Sequence, residues 1–173
     1  MFEKLKLHQL NRVDILTFKQ KDKRPVSVIL DNVRSMNNVG SIFRTSDGFG
    51  IEKIYLCGIS PQPPHRDIHK TALGAEDSMD WTYSKETVEV CKALKNQGYT
   101  LIAIEQVMNS TPLGQLKLDP QKKYGIIFGN EVDGVQEEVL KWCDECIEIP
   151  QFGTKHSFNV SVCTGIVLWE LLK

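Results

Sequence analysis

Residues 124–135 read YGIIFGNEVDGV. Five residues, 124–128, are apolar or small without a polar alternation, which suits a strand covered on both faces. The run breaks abruptly at Gly129, and Gly134 closes the polar stretch after it, so the two glycines bracket a turn. Glu131 sits inside that turn, immediately past a buried strand, and therefore belongs at the edge of a sheet. On either side of this stretch the same strand-then-polar-loop pattern recurs. A β-branched run at 26–30 ends in Asp31 and Asn32, a strand at 146–149 ends at Pro150, and further strands are expected at 54–57 and 100–105.

Between these runs the spacing predicts helices. One is expected over 41–49, ending at Gly50. A second covers 85–96, with Val88, Cys91 and Leu94 on one face and Gly98 closing it. Two more are expected over 135–142 and 159–172, the latter with Val160, Cys163, Ile166, Val167 and Leu171 available for burial. Near the start, Leu7, Leu10, Val13, Ile15 and Phe18 approach helical spacing over 3–20 and precede a charged turn and Pro25. Strands alternating with helices imply an α/β fold with a mostly parallel sheet covered by helices. The expected organisation is a helical, basic extension at 1–25 followed by one domain at 26–173.

Composition narrows the class. With 173 residues and 41% apolar side chains, one sizeable core is expected. No apolar run approaches the roughly 20 residues that cross a bilayer, and Glu3, Lys4 and Lys6 stand where a secretion signal would be apolar. A cytoplasmic protein without membrane partners is expected. Five cysteines, an odd number, then read as free thiols rather than a disulfide framework. The formal net charge is -1. Residues 1–44 nevertheless hold nine Lys or Arg against four Asp or Glu, which permits a basic face able to attract phosphates.

Three loops at the carboxyl edge of such a sheet exceed what a connection needs: 31–44, 128–135 and 150–159. The first contains Asn38, suited to capping a helix or pinning a loop, and Arg44, whose guanidinium suits bidentate capture of a phosphate. The third, within IPQFGTKHSFNVSV at 149–162, offers Ser157 or Asn159 as the residue that opens the last helix. His156 has no carboxylate near it in sequence. The motifs GxxxxGK[ST] and GxGxxG are both absent, which argues against a P-loop nucleotidase and a dinucleotide fold. Cys143 and Cys146 form a single CxxC, and His65 and His69 lack the HExxH glutamate, so no metal site is expected.

Taken in order, NNVGSIFRT at 37–45, FGNEVDG at 128–134 and IPQFGTKHSFNVSV at 149–162 resemble the motifs of the SpoU/TrmH family of SPOUT RNA 2′-O-methyltransferases. HKTALGAEDSMDW at 69–81 is similar to a segment of several members. The resemblance implies a C-terminal trefoil knot of the SPOUT type and S-adenosyl-L-methionine as cofactor. It also implies an RNA substrate, transfer RNA being favoured and ribosomal RNA the alternative, and a homodimer with the last helix at its interface. It implies donor binding by Phe128, Gly129, Asn130, Glu131, Ile149, Gln151, Gly153, Ser157, Phe158 and Asn159. Arg44, Asn38, Glu131, Ser157 and Asn159 are the implied catalytic set, with Arg44 reaching the pocket of the partner subunit. Phe158 stands where many relatives have leucine, and Gln151 where some have methionine. The competing readings are an RNA-binding module without methyl transfer and a different small-molecule α/β enzyme.

Overall fold

Seven strands form one sheet in the order β3-β2-β1-β6-β4-β7-β5, and every pairing is parallel. They are β1 (Arg24–Asp31), β2 (Ile51–Cys57), β3 (Trp81–Ser84), β4 (Tyr99–Ile104), β5 (Thr111–Pro112), β6 (Lys123–Phe128) and β7 (Glu145–Glu148). This computed structural model describes residues 2–6, 9, 10 and 13–173. Among the described residues seven α-helices accompany the sheet: α1 (Ile15–Gln20), α2 (Met36–Phe49), α3 (Arg66–Ala72), α4 (Ala75–Ser78), α5 (Thr87–Asn96), α6 (Glu137–Leu140) and α7 (Val160–Leu172).

The apolar runs arise because both faces of the central strands are covered. Along β1, Val26, Val28 and Leu30 enter one core with residues of α2, α3 and α7, while Ile29 enters a second with Val90, Cys91 and Leu94 of α5 and Val139 of α6. An α/β parallel sheet packed on both sides is therefore the architecture, as the strand–helix alternation predicts. Helix α2 lies close against α3 at Gly40, where any Cβ would fall on the Ile68 carbonyl and the Thr71 hydroxyl. At the far end of α7, Arg24 Nη1 donates to the Leu172 carbonyl at 2.6 Å, tying the last helix to the first strand.

Several boundaries differ from the sequence expectation, each for a local reason. Among the described residues of the expected leading helix, only α1 is helical over more than one turn, and its start is capped by Asp14 accepting from the Thr17 amide. Phe18 packs against the core, but Leu10, Val13, Ile15 and Leu16 stay exposed; Leu7 lies outside the described residues. Most of the loop expected at 31–44 is helix instead, because Ser35 rather than Asn38 caps α2 and starts it at Met36. The helix expected at 135–142 contracts to α6, with Gln136 and Lys141 at its ends. Helices α3 and α4 and the short strands β3 and β5 had no periodic signature long enough to announce them.

Chain order within the sheet creates the crevice. Strands β1, β2 and β3 step outward in one direction, whereas β6 inserts between β1 and β4, and β7 between β4 and β5. Pairing of Leu30 with Phe128, Phe128 with Ile104, and Ile104 with Ile147 brings the carboxyl ends of β1, β6, β4 and β7 to one level. The loops that leave these four adjacent strands must share one edge, the position where open α/β sheets bind ligands. This order is compatible with the C-terminal knot implied by the resemblance.

Candidate active site

The loop after β6 is built by Asn130. Its side-chain oxygen accepts from the Val132 and Asp133 amides at 2.9 and 3.2 Å, and its side-chain nitrogen donates to the Asn32 carbonyl at 2.7 Å. Backbone bonds between Asn130 and Gly134 close the turn in both directions. Gly134 has φ 69, and a Cβ on it would strike the Glu105 carboxylate. A Cβ on Gly129 would strike the Gly134 and Val135 backbone. Both glycines are therefore required by the closeness of the turn, as their bracketing positions suggested.

Glu131 leaves this turn and reaches the start of α2. Its two oxygens accept from the Arg34 amide at 3.0 Å, the Ser35 amide at 3.0 Å and Asn38 Nδ2 at 3.1 Å. Burial by itself pushes the Glu131 carboxyl upward, but these donors outweigh it and hold the group below the ordinary glutamate value of 4.5. Glu131 is thus an anionic clamp on two orphan amides beside the amino end of α2.

Asn159 caps α7, accepting from the Ser161 and Val162 amides, while its Nδ2 donates to Asn38 Oδ1 at 3.0 Å. The orientation of both amides follows from their partners. Asn159 must present oxygen to the α7 amides, and Asn38 must present nitrogen to the Glu131 carboxylate, leaving one donor and one acceptor facing each other. Asn38 therefore pins loops rather than capping a helix. Ser157 precedes the cap and is exposed.

These elements enclose a cleft of about 470 Å³. Ile104, Phe128, Ile147, Ile149 and Phe158 supply apolar wall, and Gly129, Asn130, Glu131, Gln151, Ser157 and Asn159 also line it. Gly153 and Arg44 are not among the lining residues. Arg44 is exposed on α2, six residues past Asn38, which turns it about 240° around the helix axis. Glu105, Glu131, Asp133 and Glu148 place four carboxylates in the lining, and no Lys or Arg lies there among the described residues.

Two residues that sequence reasoning passed over are central. Asp31, fully buried at the end of β1, accepts from Thr87 Oγ1 at 2.6 Å, the Gln136 amide at 2.8 Å and Gln136 Nε2 at 2.6 Å. Glu105, just past β4, accepts from the Val135 amide at 2.8 Å. From the strands on either side of β6, the two carboxylates hold the consecutive Val135 and Gln136 amides at the end of the 129–136 turn. Their signal was available, since each is an acid directly following an apolar strand run.

The family model for the SpoU rRNA Methylase family matches residues 25–169. The chain belongs to that family. Among its relatives, this SpoU methylase is 29% identical over 163 residues to the tRNA (guanosine(18)-2'-O)-methyltransferase of Aquifex aeolicus, covering 91% of this chain and 72% of that protein. It is 27% identical over 170 residues to the 23S rRNA (guanosine-2'-O-)-methyltransferase RlmB of Vibrio vulnificus, covering 95% of this chain and 66% of that one. The solved AdoMet-bound rRNA methyltransferase from Sinorhizobium meliloti superposes with a TM-score of 0.79 at 25% identity, covering 88% of this chain and 58% of that chain. The SpoU chain thus spans about two thirds of the length of these relatives.

The five thiols are raised by burial. Cys57, Cys143 and Cys163 are pushed up to about 12, and Cys91 to about 11, first of all by burial. They are free and half-buried or buried. No described helix is long and apolar enough to cross a membrane.

Proposed function

We propose that the chain is an S-adenosyl-L-methionine-dependent RNA ribose 2′-O-methyltransferase, with transfer RNA the favoured substrate and ribosomal RNA the alternative. The observation that carries this reading is the convergence of three distant segments on one cleft, joined through Asn38, Glu131 and Asn159. The lining fits the donor chemically. Apolar wall suits an adenine ring, and an excess of carboxylates without Lys or Arg favours a cation such as a sulfonium. The bound donor supplies a methyl group activated on positively charged sulfur.

The protein's share of the work is positioning and proton handling. Phe128, Gly129, Asn130, Ile149, Gln151, Ser157 and Phe158 are the proposed donor-binding set, and Glu131 and Asn159 hold the frame of that pocket. The hydroxyl of the target ribose is a weak nucleophile until its proton is removed. Arg44 is assigned the phosphate beside that ribose. An arginine, with a pKa above roughly 12, is a poor base, so the phosphate it grips is the better proton acceptor. Because Arg44 lies outside its own cleft lining, its role requires the cleft of a partner subunit.

A homodimer meets that requirement. Helix α7 supports it by leaving Val162 and Trp169 exposed at 52% and 63% beside Leu113, Pro150 and Ile166, an apolar surface suited to a second copy. The proposed setting is the cytoplasm, where RNA substrate and reduced thiols coexist.

The test is transfer of labelled methyl from the donor to RNA by the wild-type chain and the Arg44→Ala variant, with donor affinity measured by calorimetry. Transfer should collapse in the variant while donor binding persists. Near-normal transfer would remove Arg44 from the mechanism, and absence of donor binding by the wild type would remove the function.

A further inference from the structure

The cleft presents an electrostatic problem for its proposed substrate. RNA must bring a phosphate past Glu105, Asp133 and Glu148, and no Lys or Arg lines the cleft among the described residues. The loop 150–158 supplies the opposite character at the mouth. Lys155 and His156 are exposed, and Phe152 is 97% exposed although its neighbour Gln151 lines the cleft. An aromatic ring left almost wholly in water beside a binding site calls for a partner.

That loop is fastened at the His156 carbonyl. Gln106 Nε2 and Gln151 Nε2 both donate to the His156 carbonyl, at 2.9 and 3.2 Å, so a residue after β4 and one after β7 fasten the same point. The fastening leaves Phe152 and Lys155 directed away from any described packing. An exposed ring and an ammonium three residues apart match a nucleotide, which offers a flat apolar face and a negative charge on one unit.

We propose that Phe152 and Lys155 form the RNA-guiding side of this site, the Phe152 ring stacking on an unpaired base adjoining the target ribose and Lys155 meeting the accompanying phosphate. The inference rests on the methyltransferase reading and adds the residues that seat the substrate. Stacking is tolerant of base identity, so the pair recognises a single-stranded or splayed nucleotide rather than a particular sequence. Lys155 also offsets locally the repulsion between the acidic lining and the incoming strand.

The experiment compares wild type with F152A, F152W and K155A, using unmodified total RNA as probe. Readouts are RNA affinity across a salt series, kcat and KM for RNA, donor affinity by calorimetry, and assembly mass by light scattering. F152A should raise KM for RNA about tenfold with donor affinity and assembly mass unchanged, and F152W should restore it. K155A should weaken RNA binding and reduce its salt slope by roughly 0.7. Unchanged RNA affinity in F152A overturns the proposal. Loss of donor affinity does so too, because the ring would then cover the donor, as does a change of assembly mass, which would make Phe152 a subunit contact. A wild type that binds RNA through these residues but transfers no methyl group refutes the catalytic reading and spares this one; a wild type that does neither refutes both.

Discussion

Asn159 Nδ2 donates to Asn38 Oδ1 at 3.0 Å across a sequence separation of 121 residues, and this contact joins the cap of α7 to the first turn of α2. Asn38 then passes the connection to Glu131, so one asparagine couples the last helix to the turn after β6. The neutral bond between Asn159 and Asn38 contributes about 0.5–1.5 kcal/mol, enough to bias a loop and too little to hold the fold. Its importance lies in which segments it brings together.

Asn38→Ala and Asn159→Ala should each weaken donor affinity about tenfold, and their energies should fall short of adding in the double variant by about 0.5–1.5 kcal/mol. Asn159→Ala should also lower stability by about 1 kcal/mol more than Asn38→Ala does, since it alone removes a helix cap. A double-mutant cycle by calorimetry and urea unfolding measures both quantities. Strict additivity would mean that the observed contact carries no coupling.

Glu131→Gln should cost about 1.5–3 kcal/mol, because one oxygen facing backbone donors becomes an amino group. The native carboxyl lies below 4.5 despite its burial, so its contribution is present above that pH and lost as pH falls through the folded value. Thermal unfolding from pH 7 downward should therefore show an acid-side loss in the wild type that is shallower in the variant. Parallel pH profiles would show that Glu131 does not supply it.

Asp31→Asn should destabilise by about 2–4 kcal/mol, since a buried acceptor of four donors gains a donor of its own. Donor affinity should fall with it, because Gln136 anchors the end of the 129–136 turn. Denaturant unfolding gives the first number and calorimetry the second. A loss under about 0.5 kcal/mol would show that the local network rearranges freely.

Thiol reactivity gives an independent check of the packing. Cys57, Cys143 and Cys163 are raised by burial to about 12, above the 9.0 of an ordinary thiol. Folded thiols stay protonated where unfolded ones ionise, so this stabilisation is complete below about pH 9 and is lost as pH climbs towards 12. At pH 8 these thiols should react with a disulfide reagent far more slowly in the native chain than after unfolding. Equal rates in the two states would contradict the burial.

Much of the sheet was legible because a buried parallel strand leaves a dense local trace. Residues 26–30 and 124–128 needed only their apolar runs, and the observed strands extend them by three positions and one position respectively. Helix starts were less legible. Ser35 and Asn38 are both able to cap, and the choice depends on which amides remain unpaired once α2 packs against α3. The apolar spacing of the leading segment misled for a related reason: periodicity records a face that can be buried, and no partner surface meets Leu10, Val13 or Leu16 there.

The site divides along the same line. Composition, the strand–helix alternation and the three ordered motifs are properties of chain-neighbouring residues, and they were sufficient for the α/β class, the family resemblance and the segments where chemistry should lie. Which side chains meet depends on the assembled fold. Asp31 and Glu105 hold one turn from opposite sides, Asn38 bridges Glu131 and Asn159, and Arg44 stands outside its own cleft. These relationships come from parallel pairing between strands far apart in the chain, which sets their carboxyl ends at a common level and cannot be read from any local window.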